Sequence, residues 1–587
     1  MMPTLRRTLP ALGVLLAGLV LSGCGVAMPD SGPVREISAT GSNRDDEPAS
    51  IDPPGPQSGQ SPEEILRGFL YAMRATPAIR TSVAREFLTR EASVDWQPAG
   101  MVIYDSVNTL PAESPRTNNT VDVQLDDAYR IDARGAWLGP VAEADATVPF
   151  QMELNDGEWR ISAPPPYLMV TRSWFEQRFR QASLYFFDPS ATLLVPEPVY
   201  VPRGRQFASS LVNGLLQGPS TELSEADYLP SDLRSISVPV SQGGVAEVDL
   251  TSDAGDVPLP TPEQADLLVS QLAWTLAQDA SIARFRVSID GRQILLPGQS
   301  AEFSVEHGHE YAPYVAGSST LLFGVRSGVM VGGSPQNLQT VTGPFGSGDY
   351  ALGSVSVDLR ADQAAAVSQD GHALWVAPVK DNGGSALKLK GNGENLLRPA
   401  WDFSGRLWEV DRRASGAEVM YRRGDQMRTL EVPGISGEDV KDFLVSRDGS
   451  RLIAVIRESA ESDRMVVSRI LTTGDHQVVG ALAAETITPE DAAGPIRDVS
   501  WRTPTSVAML YPTTRTLFQV RVASVDGAPS GDSLSAPIEG EVLGLAGTPV
   551  PGETNYAVVR GGLVDLDDPL EAASEIDPTI DSLHYVG

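Results

Sequence analysis

One residue near the start of the chain has the surroundings of a lipid attachment site. Leu21, Ser22, Gly23 and Cys24 place a branched apolar residue and two small residues directly before a thiol. In this order, called a lipobox, the thiol takes a diacylglyceryl group, a peptidase cuts in front of the cysteine, and the new amino group is acylated, for example with palmitate. Cys24 is the only cysteine in the sequence, so no thiol remains for disulfides or thiol catalysis. We therefore predict that Cys24 is the lipid-bearing first residue of the mature protein.

The segment before Cys24 has the composition of a secretory signal peptide. Arg6 and Arg7 give it a positive start, and residues 9–21 form an uncharged stretch rich in Leu, Val, Ala and Gly. That stretch is too short to span a bilayer comfortably. The alternatives are a plain export signal with an incidental cysteine, or a short transmembrane anchor. We predict a signal peptide over residues 1–23 and stable anchoring of Cys24 in the cytoplasmic membrane, since two or more acyl chains hold a protein where one is marginal.

Composition limits the classes of partner. The chain has 587 residues, 41% of them hydrophobic, which is enough for three or more globular domains. Its formal net charge is −31, and loss of Arg6 and Arg7 with the leader makes it more negative. An acidic surface repels phosphate groups, so we expect no nucleic-acid partner and no electrostatic attraction to anionic lipids.

Two groups of residues have metal-ligand chemistry. Glu306-His307-Gly308-His309-Glu310 holds two of the five histidines, but it falls between two predicted domains, where a solvated linker is expected. Asp249, Asp253 and Asp256 resemble a calcium loop only superficially, because the spacing lacks the glycine and the bidentate glutamate of an EF-hand. The interpretation we favour for these aspartates is that they cap the end of a strand.

No catalytic constellation is recognisable in the sequence. It contains no G-x-S-x-G, no P-loop, no H-E-x-x-H and no G-x-G-x-x-G after a strand. Trp401, Trp408 and Trp501 could stack on a sugar, but they recur at the period of a repeat, which favours packing in the core. We therefore predict no catalytic residue, no metal site and no cofactor.

The amino-terminal part of the mature chain is predicted as a tether followed by an α+β domain. Residues 24–60 are rich in Pro, Gly, Ser and Asp and cannot bury a core, which predicts a flexible tether. Ser61-Pro62-Glu63-Glu64 then has the composition of a helix start. Strand-like runs follow, and the last two are joined by Asn155-Asp156-Gly157, a hairpin turn. This closing hairpin, with DGEWRI after the turn, resembles the end of an NTF2-like domain, which implies such a domain over residues 61–180.

A second α+β domain is predicted over residues 181–305. Strands at 184–187 and 193–196 precede a helix at 207–215, and further strands are expected at 236–238 and 246–250. Thr261-Pro262-Glu263-Gln264 is a capping box that opens a helix, and the strand 285–289 closes the unit. The order LVPE, LVNGLLQGPS, LRSISV, AEVDL, QLAWTLAQ and RFRVSIDG resembles the GerMN domain of sporulation and cell-envelope proteins. The resemblance implies a non-catalytic module.

The carboxy-terminal part, residues 317–587, repeats. Five similar segments have spacings of 44, 44, 56 and 44 residues, with anchor residues at Val357, Trp401, Val445, Trp501 and Leu545. A period near 44 with short strands is typical of a β-propeller. Residues 321–331 look like part of a further blade, which residues 583–586 could complete by closing the ring. We expect six blades, with five or seven as alternatives.

The order of lipobox, acidic tether, NTF2-like domain, GerMN domain and propeller resembles the LpqB family of actinobacterial lipoproteins. The resemblance implies an accessory lipoprotein on the outer face of the cytoplasmic membrane. It also implies a partner, the extracellular domain of the sensor histidine kinase of the Mtr two-component system, and a role in cell-wall homeostasis and division. Only Cys24 and its lipobox match the family residue by residue.

Two other functions remain open from the residues alone. One is a solute- or glycan-binding lipoprotein that uses the propeller channel, and the other is a hydrolase whose residues meet only in three dimensions. A channel lined with aromatic and carboxylate side chains would favour these. A filled channel with an apolar patch at the side would favour a protein partner.

Overall fold

A computed structural model describes the chain over residues 53–75, 81–109, 119–220, 226–230, 233–235, 237–252, 258–298, 300–381, 383–489, 494–529 and 537–587. The predicted signal peptide and most of the predicted tether lie outside these residues. The described residues build a multidomain, strand-rich protein in which two α+β domains precede a β-propeller.

The first domain places three helices before two sheets. The helices are α1 (Pro62–Ala72), α2 (Ser82–Glu86) and α3 (Arg90–Asp95). The strands are β1 (Met101–Tyr104), β2 (Ser106–Thr109), β3 (Thr120–Asp126), β4 (Tyr129–Ile131), β5 (Trp137–Pro140), β6 (Thr147–Asn155), β7 (Glu158–Ala163) and β8 (Leu168–Thr171). One sheet has the order β2-β3-β6-β7 and the other β5-β4-β1-β8. The sequence did not predict α3, strands β2, β4, β5 and β8, or the order of strands within the sheets.

Local signals in this domain act as predicted. Ser61 accepts a hydrogen bond from the Glu64 amide, and the Glu64 carboxylate accepts one from the Ser61 amide, so both groups cap α1. Asp156 and Gly157 have φ of 51° and 83°, as the tight turn between β6 and β7 requires.

The end of the predicted tether is packed rather than free. Pro53 is buried, the Ser58 hydroxyl donates to Glu158 at 2.6 Å, and the Gly59 amide donates to the same carboxylate at 3.0 Å. The boundary predicted at residue 61 is therefore corrected, because ordered chain begins at least eight residues earlier. Polar composition did not reveal this, since these contacts are hydrogen bonds to a distant strand.

The second domain packs two helices against a sheet and a long hairpin. Helix α4 (Arg172–Arg178) precedes this domain and contributes Trp174 and Phe175 to the core of the first domain. The elements of the second domain are β9 (Phe179–Phe187), β10 (Leu194–Pro202), α5 (Phe207–Leu216), β11 (Leu233–Ser235), β12 (Val245–Ser252), α6 (Pro262–Leu276), β13 (Arg284–Ile289), β14 (Arg292–Gln293) and β15 (Phe303–Ser304). Strands β12 and β13 are parallel, and α6 is the crossover between them. The predicted capping box at Thr261 and Gln264 is confirmed. The strand predicted at 236–238 is wrong, because the segment that pairs with β12 is residues 233–235, three residues earlier in the chain.

The propeller contains six blades. Blade 1 holds β16 (Leu322–Arg326), β17 (Val329–Ser334) and β18 (Asn337–Thr340), and blade 2 holds β19 (Leu352–Val357), β20 (Gln363–Ser368), β21 (Leu374–Pro378) and β22 (Leu387–Lys390). Blade 3 holds β23 (Ala400–Trp401), β24 (Leu407–Arg413), β25 (Gly416–Arg423) and β26 (Gln426–Thr429). Blade 4 holds β27 (Val440–Val445), β28 (Arg451–Arg457), β29 (Asp463–Thr472), β30 (Val478–Ala481) and a short extra strand β31 (Glu485–Thr486). Blade 5 holds β32 (Asp498–Thr503), β33 (Ser506–Pro512), β34 (Leu517–Ser524) and β35 (Ile538–Glu539). Blade 6 holds β36 (Val542–Ala546), β37 (Tyr556–Val559), β38 (Gly562–Asp565) and β39 (Ser574–Glu575).

The last strand of the chain closes the ring. Strand β40 (Ile580–His584) pairs antiparallel with β16, with Phe323 opposite His584 and Gly324 opposite Leu583. It is the innermost strand of blade 1, which therefore combines the two ends of the repeat region. The predicted closure and the expected six blades are confirmed, and each of the five anchors lies on an innermost strand.

The domains are joined by buried contacts. The Tyr200 amide on β10 donates to the Gly135 carbonyl at 2.7 Å, and a Cβ at Gly135 would lie 2.4 Å from the Tyr200 carbonyl oxygen. Arg451 in blade 4 is 2% exposed and donates to the Pro196 carbonyl at 2.6 Å and to Glu197 at 3.0 Å. Ala528 of blade 5 belongs to the core of the first domain. The modules therefore share cores and ion pairs.

Glu409 on β24 is an acidic side chain buried inside blade 3. It is 0% exposed; its Oε1 accepts from the Val410 amide at 3.0 Å, and its Oε2 has no partner among the described residues. Burial, reinforced by the charge of Asp411, holds the pKa of Glu409 well above its usual range. An acid whose pKa is raised by folding stabilises the fold below its unfolded pKa, and this contribution is lost as pH rises toward its folded pKa.

Replacing Glu409 with glutamine should therefore change how stability depends on pH. We expect the melting temperature of Glu409→Gln, relative to the parent protein, to rise between pH 5 and pH 8. The parent protein loses up to about 1.4 kcal/mol of stability for each pH unit above the unfolded pKa of glutamate, as long as Glu409 stays protonated in the fold. Thermal unfolding followed by tryptophan fluorescence at several pH values measures this. The matched control is Glu485→Gln, at an exposed position. A constant difference between Glu409→Gln and the parent across this pH range would contradict a buried, protonated Glu409.

Candidate functional site

The residues predicted to carry the lipid lie outside the described part of the chain. This holds for Cys24 and for Leu21, Ser22 and Gly23 of the lipobox, so their assignment stays a prediction. Among the helices that the structure describes, none combines the length and the apolar character needed to cross a bilayer.

The histidine-rich segment is packed against the second domain. His307 Nε2 lies 3.0 Å from Asp266 Oδ1 on α6, and Tyr311 donates to the other oxygen of Asp266. Gly308, with φ of 74°, lies so close to Ser270 that a Cβ there would be 2.5 Å from its side chain. The prediction of a solvated linker is therefore wrong, since His307, Gly308 and Tyr311 pack against α6. Within the described ranges, no three ligand-type side chains come together as a metal site would need.

The remaining candidates have structural roles. Asp249 lies within β12, where it accepts a hydrogen bond from Ser288 at 2.6 Å, so it does not cap a strand end as predicted. Asp253 and Asp256 lie outside the described residues. The core position predicted for the three tryptophans is confirmed: Trp401, Trp408 and Trp501 are 3%, 0% and 8% exposed. Trp501 donates to the Val445 carbonyl of the preceding blade at 3.0 Å.

One end of the propeller channel is filled. Arg447, which is 4% exposed, follows β27 and reaches across the axis. Its guanidinium donates to the carbonyls of Tyr314 and Val586 at 3.1 Å each and to the Thr548 hydroxyl at 3.2 Å. The Gly587 amide donates to the Val357 carbonyl at 2.9 Å. The chain terminus and Arg447 together leave a cavity of only about 40 Å³ at this end.

The other end of the channel, where the inner strands begin, is open and polar. A cavity of about 260 Å³ there is lined by side chains from every blade, among them Arg398, Asp442, Asp498 and His584. We call this the channel pocket. It has carboxylates but none of the aromatic side chains that a sugar-stacking site would supply. Two cases were expected from the sequence, a channel lined with aromatic and carboxylate side chains and a filled channel. The observed channel matches neither completely, because it is filled at one end and has carboxylates without aromatic side chains at the other.

The two aspartates of the channel pocket are hydrogen-bonded to each other. Asp442 accepts from the Phe443 amide at 2.8 Å, and Asp498 accepts from the Leu545 amide at 2.6 Å, so both carboxyl groups are held by backbone. Burial, and after it the charge of Asp442, raises the pKa of Asp498 to about 8. Burial also raises the pKa of Asp442. At neutral pH the pair therefore shares one proton.

A cation and a neutral histidine stand beside this pair. The Arg398 charge acts on both aspartates and on His584. Burial, with Arg398 next, holds the pKa of His584 well below its usual range, so the imidazole is neutral. Its Nδ1 lies 3.2 Å from the Leu545 carbonyl oxygen and must donate to it, which leaves Nε2 as an acceptor.

Sequence reasoning missed these residues, although the repeat contains a signal for them. The position three residues before an anchor is the one that faces the channel pocket in four consecutive blades, where it is occupied by Ser354, Arg398, Asp442 and Asp498. Polar residues at one position of a propeller repeat, next to a buried anchor, indicate a lining of the axis.

A second and larger cavity lies between the first domain and the propeller. It has a volume of about 780 Å³ and is lined by β5 and its neighbours on one side and by blades 4 and 5 on the other. We call this the interdomain groove. Its apolar and aromatic side chains are those of Tyr129, Trp137, Leu138, Pro140, Pro489, Val522 and Pro529. Arg172, which is ion-paired with Asp105 and Asp127 and stacks on Tyr129, stands at its edge with Glu485 and Asp526.

Leu138 in the interdomain groove is a large apolar side chain that is exposed to solvent. Its side chain is 59% exposed although it follows the buried Trp137 on β5. Tyr129 and Trp137, which also line the groove, are 6% and 9% exposed, so Leu138 is the most exposed large apolar side chain that the first domain contributes to it.

Family models match three consecutive parts of the chain. The model described as "Lipoprotein LpqB, N-terminal domain" matches residues 55–176, and "Lipoprotein LpqB beta-propeller domain" matches residues 328–565. Between them, a model described as "Sporulation and spore germination" matches residues 183–295. The solved structure of the first GerMN domain of the sporulation protein GerM from Bacillus subtilis is similar over 21% of this chain and 97% of its own, with 23% identity and a TM-score of 0.18.

Curated relatives match over almost the whole length. The protein named Lipoprotein LpqB of Thermobifida fusca is 26% identical over 90% of this chain and 91% of its own. The protein of the same name from Streptomyces avermitilis is 27% identical over 91% and 92%. That of Mycolicibacterium smegmatis is 28% identical over 76% and 78%. These relatives are named as lipoproteins and not as enzymes.

Proposed function

The chain belongs to the LpqB family of actinobacterial lipoproteins, and from this premise we propose that it is a lipid-anchored accessory protein of the Mtr two-component system. Anchored through Cys24 at the outer face of the cytoplasmic membrane, it binds the extracellular domain of the sensor histidine kinase and so affects cell-wall homeostasis and division. The relatives' names support lipid anchoring. The kinase contact is supported by the chemistry of the interdomain groove.

The interdomain groove is the observation on which this proposal depends. Protein interfaces concentrate their binding energy in a few Tyr, Trp and Arg side chains surrounded by apolar neighbours. On the side of the first domain the groove is lined by Tyr129 and Trp137, which are only 6% and 9% exposed, and by Arg172. The accessible apolar side chain beside them is Leu138, which is 59% exposed. A cavity of about 780 Å³ accommodates several side chains of a protein segment.

The charges at the groove select among partners. Arg172 already has two carboxylate partners, and Glu485 is exposed on the opposite wall. In a chain with a net charge of −31, a partner that presents apolar side chains beside basic residues fits better than an acidic one. We therefore propose that an apolar segment of the kinase's extracellular domain, flanked by basic residues, occupies the groove.

Crosslinking in intact membranes tests the proposal. A photoreactive residue at position 138 of the lipidated protein should crosslink to the sensor kinase, and the same residue at position 570 should not. Leu570 is the matched control because its side chain is 91% exposed and it does not line the groove.

A charge in the groove should weaken the same contact. We expect Leu138→Asp to reduce recovery of the kinase with the lipidated protein by about tenfold, equivalent to about 1.4 kcal/mol, while Leu570→Asp leaves it unchanged. The measurement is quantitative co-purification from membranes at equal protein amounts. Recovery of glycan without the kinase, or equal kinase recovery with both variants, would overturn the proposed function.

A further inference from the structure

The channel pocket has the features of a small-ligand site that is independent of the kinase contact. It is a blind cavity, because Arg447, Val586 and Gly587 fill the opposite end of the channel. We propose that the channel pocket binds a small molecule through an oxyanion, a carboxylate or a phosphate group, and that Arg398 is its principal contact. This goes beyond the proposed function and does not depend on it.

The balance of charge in the pocket favours an anion. Three cationic side chains line it, those of Arg398, Lys441 and Arg497, against the two carboxyl groups of Asp442 and Asp498. These carboxyl groups are hydrogen-bonded to each other and share a proton, so the pair carries one negative charge. Even with Lys441 neutralised by its ion pair to Asp463, one positive charge remains uncompensated. In a protein with a net charge of −31, such a local excess concentrates anions.

Arg398 is the group best placed to bind the anion. Lys441 is already engaged, since its ammonium group donates to Asp463 and to the Ile496 carbonyl. Within the described part of the chain, the guanidinium of half-buried Arg398 has no hydrogen bond or ion pair of its own. A guanidinium presents paired donors that match the two oxygens of a carboxylate or phosphate. Arg398 interacts with the aspartate pair only through its charge, so its N–H groups remain available to an oxyanion on the axis of the propeller.

Other polar atoms in the pocket also lack partners. The hydroxyl of Ser582 on β40 is buried without a hydrogen bond among the described residues. His584 presents Nε2 as an acceptor, because its Nδ1 donates to the Leu545 carbonyl. A ligand that accepts from Arg398 and Ser582 and donates a hydroxyl or amino group to His584 would satisfy all three.

The walls limit the size of the ligand. The cavity of about 260 Å³ is bounded by the apolar side chains of Leu397, Leu543 and Val558. A Cβ at Gly544 would lie 2.4 Å from the Asp498 carboxylate oxygen, so a larger residue there would have to displace that carboxyl group. The pocket therefore suits a compact acid or phosphate ester and does not admit a polymer that would have to thread the channel.

Calorimetric titration of the full-length lipidated protein in detergent, with inorganic phosphate and with acetate as probes, tests this inference. We expect saturable one-to-one binding of at least one probe and a loss of affinity of about tenfold or more in Arg398→Gln. Tighter binding of phosphate would identify a phosphate ester as the ligand class, and tighter binding of acetate a carboxylate. The matched control, Arg457→Gln, removes a half-exposed arginine of blade 4 that does not line the pocket and should leave binding unchanged.

A second variant separates loss of binding from loss of fold. The amide of Asp498→Asn can accept from the Leu545 amide and donate to Asp442, so it imitates the proton-sharing pair at any pH. Wild-type affinity should fall between pH 7 and pH 9, as the pair loses its proton beside Arg398, Lys441, Arg497 and neutral His584, whereas Asp498→Asn should keep its affinity. The absence of saturable binding of both probes would overturn the inference. Undiminished binding by Arg398→Gln with an unchanged melting temperature would also overturn it.

Discussion

Replacing Cys24 with alanine is expected to abolish lipid modification completely and to transfer the protein from the detergent phase to the aqueous phase in a phase-partition assay. The reason is that the acyl chains on Cys24 are the only predicted attachment to the membrane, and each buried methylene contributes about 0.8 kcal/mol. With a net charge of −31, the folded part offers no electrostatic attraction to anionic lipids. Incorporation of labelled palmitate measures the modification directly.

The leader needs its own control in this experiment, because an uncut signal peptide can hold a chain in the bilayer by its apolar stretch. A version of Cys24→Ala in which residues 1–23 are exchanged for a leader cut by ordinary signal peptidase removes that route. Ser22→Ala keeps a small residue before the cysteine and should be labelled like the parent protein. Palmitate labelling of Cys24→Ala, or full membrane retention of the leader-exchanged variant after a high-salt wash, would contradict lipid anchoring at Cys24.

The propeller was the part of the fold that could be predicted most completely from the sequence. A propeller blade is a local unit of four short strands, so each blade leaves a complete pattern within about 44 residues. For this reason the anchors Val357, Trp401, Val445, Trp501 and Leu545 all lie on innermost strands, and the closure by β40 was predictable from an incomplete first blade. Capping boxes at Ser61 and Thr261 were equally predictable, since their hydrogen bonds span only three residues.

Features made by distant segments were not predictable in the same way. Leu138 and Val522 come from different domains, and no local pattern shows that they border one groove. The contact of His307 with Asp266 was not predictable either, because it joins a linker to a helix that is distant in the sequence. The channel pocket is intermediate: the positions of Arg398, Asp442 and Asp498 recur in the repeat, but their shared proton depends on distances that only the closed ring creates.

Replacing Arg447 with alanine is expected to destabilise the propeller by about 3 kcal/mol or more. The guanidinium donates to three acceptors, the carbonyls of Tyr314 and Val586 and the hydroxyl of Thr548, and hydrogen bonds to a charged group contribute about 1.5–3 kcal/mol each. Burial lowers the pKa of Arg447 to about 10, so it is still charged at neutral pH. For a unit of this size the loss corresponds to a fall in melting temperature of about 5–10 °C, measured through the fluorescence of the buried tryptophans.

Arg447 lies next to the strand that closes the ring, so its loss should affect hydrogen exchange locally rather than throughout the propeller. Its contact with Val586 holds the segment directly after β40, and β40 is the strand that closes the ring. Arg447→Ala should therefore increase hydrogen exchange most at β40 and at its partner β16, before the other blades are affected. Arg457→Ala, at a half-exposed position in the same blade, should change stability by less than about 0.5 kcal/mol. Uniform exchange across all blades in Arg447→Ala would show that this arginine supports the core in general, and that closure of the ring depends on the pairing of β40 with β16 alone.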